Sequence, residues 1–169
     1  DSSIFDFIIN QYKCYFDICN WDMNEDVFFL GDNSDINSLG SNFISTHPNQ
    51  FGLNFFAKTG QYDLNEHVIK TYGTESIVVA DATIRPDSGF VTILKNAEIK
   101  EFHNATIELT HHVFTNAHVD IESKFNYNAT GDYTFLDAFN NKQHVFFNTI
   151  YVNSDRLTQA RGDLNDKKP

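Results

Sequence analysis

Asp81-Ala82-Thr83-Ile84, Asn96-Ala97-Glu98-Ile99, Asn104-Ala105-Thr106-Ile107 and Asn116-Ala117-His118-Val119 repeat one phrase within Ser76 to Glu122. The phrase is a polar residue, alanine, a variable residue, then Ile or Val. A degenerate fifth copy stands at Asn128-Ala129-Thr130. In an extended chain successive side chains alternate between faces. Ala and the Ile or Val two residues on therefore share one face, while the Asp or Asn and the variable residue share the other. Each copy reads as a short strand with one dry face and one polar face. The copies begin 15, 8 and 12 residues apart. A solenoid keeps a fixed period, and eight residues are too few for a parallel coil but enough to return a strand antiparallel. The pattern predicts an all-β fold of short strands, either an irregular β-solenoid or an antiparallel β-sandwich. The Ala and Ile/Val face would be core.

The flanks agree with this reading. Residues 1–19 fit a helix face (Ile4, Phe5, Ile8, Ile9) or a strand (Phe5, Phe7, Ile9), and from Tyr12 the aromatic content favours strand. Trp21 to Asn24 reads as a turn before a strand Val27 to Leu30. Phe43 to Thr46, Leu53 to Lys58 and Phe90 to Leu94 read as strands, and Glu75 to Asp81 as a central one. Pro86-Asp87-Ser88-Gly89 is a turn. Tyr127 to Gly131 reads as a turn, Asp132 to Leu136 as a strand, Asn140-Asn141 as a hairpin turn and Gln143 to Val152 as a long strand. One more strand is expected over Arg156 to Ala160. Residues 1–169 make one β-rich domain, with 162–169 as a frayed tail.

Charge narrows the partners. Twelve basic against 23 acidic residues give a net charge of −11. Such a surface repels phosphate backbones, and no basic patch offsets it, so nucleic acid is not an expected partner. Cations, neutral glycans and proteins remain compatible. No apolar run reaches the roughly 18 residues of a spanning helix. The first residue is not Met and no signal peptide is present, as in a mature or excised piece. With 17 Phe, 7 Tyr and only 3 Pro the chain is expected to fold. If Lys13 to Asn20 is extended, Cys14 and Cys19 lie roughly 16 Å apart. A disulfide needs Cα atoms within about 7 Å, so two free thiols are expected.

Several groups invite a chemical reading. The loop Gly31 to Asn42 is rich in Asp, Asn and Ser, but from Asp32 the fifth and sixth positions are Ile36 and Asn37, which breaks the EF-hand pattern. His103, His111, His112 and His118 lie within sixteen residues. His118 and Asp120 would share a strand face, yet no zinc-type spacing accompanies them, and they read as non-ligand histidines. Asp81, Asp87, Asp120, Asp132 and Asp137 could set two carboxylates across a cleft, as glycosidases require, although turn roles explain Asp87 and Asp132. No nucleophile elbow or phosphate-cradling loop is present. Asn104 and Asn128 match the glycosylation acceptor, and Arg161-Gly162-Asp163 an adhesion tripeptide; such short matches are common. No catalytic, cofactor-binding or metal-binding residue is assigned.

Phe43 to Pro48, Val79 to Gly89, Asn116 to Ser123, Gly131 to Phe135 and Gln143 to Ile150 form an ordered series of phrases. Together they resemble segments of very large, uncharacterised β-rich cell-envelope proteins of the Bacteroidota, over most of residues 20 to 161. The resemblance implies a segment of a long exported β-structure, periplasmic, outer-membrane-associated or at the cell surface. It implies no catalytic residue and no cofactor. The expected function is a non-catalytic structural or adhesive β module. A carbohydrate-binding or carbohydrate-cleaving domain, with Trp21 and surface Tyr rings as stacking platforms, is the alternative. A second alternative is lipid or polymer handling along an apolar groove made by the Ala and Ile faces.

Overall fold

The computed structural model describes residues 3–31 and 39–162. Within them the chain forms sixteen strands and three 3-10 turns of three residues each, at Pro48–Gln50, Asp87–Gly89 and Lys95–Ala97. One four-stranded sheet has the order β1 (Ser3–Phe7), β2 (Tyr12–Phe16), β5 (Ser41–Ser45), β6 (Asn54–Ala57). A five-stranded sheet has the order β11 (Val91–Ile93), β8 (Val68–Tyr72), β7 (Thr59–Asp63), β4 (Val27–Leu30), β3 (Cys19–Asp22). The third sheet is the largest. It runs β16 (Thr158–Arg161), β15 (Lys142–Val152), β14 (Asn126–Leu136), β13 (Val113–Ser123), β12 (Phe102–Glu108), β10 (Ala82–Arg85), β9 (Ile77–Val79). Every strand pair is antiparallel. A solenoid coil needs parallel neighbours, so the architecture is the sandwich-like one.

Within the stretch left open between helix and strand, Ser3–Phe7 and Tyr12–Phe16 are strands. Gln11 takes φ 53°, closing a tight hairpin between β1 and β2, and Tyr12, Cys14 and Phe16 then alternate inward. Phe16 meets Phe43 edge-on at 5.8 Å, and Phe43 stacks on Phe55 at 5.6 Å, joining three strands of one sheet. Across the interior, a Cβ on Gly60 of the facing sheet would come within 3.2 Å of the Phe43 ring. Glycine there lets the two sheets close. The buried Asn10 side chain donates to His67 O at 2.7 Å and Leu94 O at 3.1 Å, tying the first hairpin to the five-stranded sheet.

The repeated phrase is core, as its pattern predicts. Ala82, Ala97, Ala105, Ala117 and Ala129 are buried, with Ile84, Ile99, Ile107 and Val119. They belong to one cluster with Phe43, Phe55, Leu53 and Ile69 from the other sheets, so the Ala face is covered. The copy at Asn96 departs from the expectation. It lies on a 3-10 turn, with Asn96 at φ 57° and Ala97 at φ 61°, and not on a strand. Two further expectations are corrected. Ile77–Val79, expected to be central, is the outer strand of its sheet, and Tyr127 to Gly131, expected to be a turn, lies within β14.

The asparagines of the phrase do something the alternation rule does not anticipate. Asn104 and Asn116 have φ 55° and 49°. Between Phe102 and Ala105, β12 inserts one residue more than β13 does between Val119 and Ala117. Between Ala117 and Phe114, β13 returns the excess against β12 and inserts it again against β14. β15 has its own extra residue between Phe147 and Ile150. These bulges form a column across four strands, and bulges bend strands and raise their twist. Gly131 stands in the bend, where a Cβ would meet Ala117 Cβ and Thr115 O at 3.3 Å. On one side of the column Ala117, Val119, Ile121, Tyr127 and Ile150 face the core. On the other side the 11-residue strands β13, β14 and β15 curl past it, leaving Phe135, Leu136 and Phe146 exposed.

Candidate functional site

The curl makes a concavity in the far half of the largest sheet. Phe114 of β13, Tyr133 of β14 and Phe147 of β15 line it, with Leu109, His112, Thr158 and Ala160 around them, and it encloses about 260 Å³. Phe114 and Tyr133 are directly paired across β13 and β14, so their rings share a face. Ring centroids are 5.6 Å apart for Phe114–Tyr133 and for Phe114–Phe147, the latter pair nearly perpendicular at 87°. Edge-to-face packing of this kind holds the three rings in one arrangement. His112 Nδ1 lies 3.0 Å from the Tyr133 hydroxyl at the rim.

The floor is fastened from a turn between the two strands at the opposite end of the same sheet. Asp81, on the turn before β10, accepts Thr158 Oγ1–H at 2.6 Å and Thr158 N–H at 3.0 Å. The Tyr127 hydroxyl shares a hydrogen bond with Thr158 Oγ1 at 2.8 Å, and burial pushes the Tyr127 phenol up to about 12. Residues 77 positions apart thus tie β16 to the β9–β10 turn at the other end of the sheet. Asp81 is a structural acceptor here.

The other candidate residues are dispersed. Asp87 lies in its 3-10 turn, and Asp132 accepts from Asn116 Nδ2 at 3.0 Å. Asp137 accepts N–H bonds from Phe139 and Asn141, both at 2.9 Å, and from Gln143 Nε2 at 3.0 Å. The bonds from Asn141, Gln143 and Phe139 hold its carboxyl below the usual carboxylate range. Asp120 moves the other way. Partial burial, and then the charges of Glu122, Glu101 and Glu98, raise it.

Among the histidines, His103 and His118 meet edge-to-face at 4.5 Å between centroids, and His118 Nδ1 is 3.5 Å from Glu101 Oε1. His112 turns away to Tyr133. Among the described residues no three His, Cys, Asp or Glu side chains are placed to hold one metal ion. Most of the acidic loop weighed for calcium, residues 32–38, lies outside the described residues, as does Asp163 of the adhesion tripeptide. Cys14 is buried and Cys19 exposed, both as free thiols. Desolvation raises both, Cys14 to about 12.

Trp21 is 51% exposed on β3, the outer strand of its sheet, and stacks on Phe28 with centroids 5.5 Å apart and planes at 26°. Tyr12 and Tyr127 are buried, so the aromatic surface is not Tyr-rich as expected. It consists mainly of Trp21 and of phenylalanines. The concave cluster escaped the sequence reading because the bulges set the pairing register that brings its three rings together, and local alternation does not show them. The detectable signal was one aromatic on the same face of three consecutive long strands. No protein-family model, curated protein or solved structure matches the chain. Among the described residues no helix is long and apolar enough to cross a membrane.

Proposed function

We propose that the chain is a non-catalytic structural or adhesive β module of an exported cell-envelope protein, working in the periplasm, at the outer membrane or on the cell surface. The observation that carries this reading is where the apolar surface lies. The Ala and Ile face is consumed by the core, whereas Phe135, Leu136, Phe139 and Phe146 are exposed on the curled far half of the sheet. Phe139 is 86% exposed at a hairpin turn that Asp137 holds in shape. Exposed apolar patches of this kind mark contact surfaces. Lipid or polymer handling along the Ala and Ile face has no support, because that face is covered.

Sedimentation of the purified chain with washed envelopes of a Bacteroidota bacterium tests the proposal. The wild type is expected in the pellet. The doubly substituted chain, Phe139→Ser with Phe146→Ser, should keep its circular dichroism and lose most of its pelleting. Equal pelleting of the two chains, or none by either, removes the adhesive reading.

A second reading rests on Trp21. Its exposed ring, braced by Phe28, offers the flat apolar platform on which sugar rings stack. Trp21 is the only tryptophan, so its emission reports directly on that surface. A saturable change with neutral oligosaccharides, lost in Trp21→Ala, supports glycan binding. An unchanged spectrum rejects it.

A further inference from the structure

Along β15 the largest sheet loses its outer neighbour halfway. β14 pairs with β15 from Lys142 to Tyr151, whereas β16 pairs only with Thr149 to Val152. Among the described residues, Lys142 to Phe146 therefore has no strand on its outer side. The direction of the backbone groups follows from Gly162, the residue after β16. A Cβ there would stand 3.0 Å from the Phe146 carbonyl oxygen, which puts that carbonyl on the outer side. Backbone groups alternate sides along an antiparallel strand, so His144 and Lys142 also present their N–H and C=O outward, while Gln143 and Val145 face β14.

Three properties fix what this edge can take. A row of outward N–H and C=O groups is matched by another extended polypeptide backbone. Phe147, Val145 and Tyr133 share the concave face, and the aromatic cavity lies beside them, so alternate residues of an added strand would meet apolar surface. Lys142, His144 and Phe146 share the opposite face. From Lys142 to Thr149 the chain carries no carboxylate, although its net charge is −11. The intervening residues of the added strand thus face Lys142 and a stretch of edge whose own residues carry no carboxylate.

We propose that the Lys142–Phe146 edge of β15 is a strand-addition site for an extended polypeptide partner in which apolar and acidic residues alternate. This rests on the adhesive reading and supplies its partner chemistry. Main-chain hydrogen bonds would give the affinity, and the aromatic cavity and Lys142 the selectivity.

The probe is an acetylated, amidated seven-residue peptide alternating Glu with Val and Ile, added to the whole chain and read by amide hydrogen exchange and calorimetry. Exchange at His144 and Phe146 should slow about tenfold or more, the equivalent of a single good charge-assisted or main-chain contact set. Methylating the peptide's backbone nitrogens should abolish the effect, and replacing its Glu by Lys should weaken it. His144→Pro removes an outward N–H without touching the β14 ladder and should abolish binding, whereas His144→Ala should retain it. If His144→Pro does not fold, the methylated peptide still decides.

Equal binding of the methylated peptide would mean side-chain docking and overturn the proposal. Slow exchange at His144 and Phe146 without peptide overturns it too. That protection would come from the chain itself if independent of protein concentration, and from a second copy if it rises with concentration. No response to any peptide refutes the edge site alone, because envelope sedimentation through Phe139 is judged separately.

Discussion

Asn104 on β12 and Asn116 on β13 both stand in left-handed backbone, at φ 55° and 49°, and each marks the extra residue its strand inserts against the other. Asparagine tolerates this conformation better than other residues with a Cβ. Asn104 is the cleaner position to test, since Asn116 Nδ2 also donates to Asp132. Asn104→Ala is expected to cost about 1 kcal/mol and Asn104→Gly only a few tenths. Urea unfolding of the two variants measures the difference. Equal losses would mean that the backbone conformation carries no energy here.

Ala105 and Ala117 face each other directly across β12 and β13, and both are fully buried. Leucine at either position overfills a closed core and should cost about 1–3 kcal/mol. Were the Ala face an open groove, leucine would be accepted at little cost. The urea midpoint of Ala117→Leu separates the two cases.

Two aspartates should give opposite pH signatures. Burial and the neighbouring Glu122, Glu101 and Glu98 raise the folded Asp120 carboxyl. Its ionisation therefore opposes folding, and stability from this group is gained as the pH falls through the raised value. Asp120→Asn should stabilise the chain slightly at pH 7, and the advantage should vanish toward pH 4. Asp137 is depressed instead, so its contribution is present above the ordinary aspartate value of about 3.9 and is lost as the pH falls through the lower folded value. Amide exchange at Phe139 and Asn141 should stay slow down to that point, and Asp137→Ala should speed it above that point and change it little below.

The two thiols should be distinguishable by titration. The thiolate is the reactive form, and burial pushes Cys14 up to about 12. At pH 8 a disulfide reagent should therefore label Cys19, which is exposed, and reach Cys14 only on unfolding. Fast labelling of two thiols in the native chain would contradict the burial of Cys14 in the core.

Much of the fold was legible because alternation is local. Ala82 and Ile84, Ala105 and Ile107, Ala117 and Val119 went to the core face as the period of two requires. The same rule treated the asparagines as ordinary polar-face residues. It missed that Asn104 and Asn116 break the alternation just before each Ala, which restores the register on the core side of the bend. Ile77–Val79 looked central because its β-branched run fits a strand buried on both faces, yet Val78 is exposed and the strand is the sheet's edge. Composition cannot tell an edge from a centre, since that depends on which strand arrives next.

The sequence by itself determined the all-β class, the buried face of each repeat and the shortness of most strands, since these depend on residues two to ten positions apart. Only the tertiary structure decided that the strands pair antiparallel in three sheets, that the bulges align into a bend, and that Phe114, Tyr133 and Phe147 converge on one concavity. It also decided that β16, clamped by Asp81 seventy-seven residues away, stops short and leaves half of β15 without an outer neighbour among the described residues. Pairing register is set by contacts between distant segments, and no local pattern of side chains encodes which backbone will lie beside which.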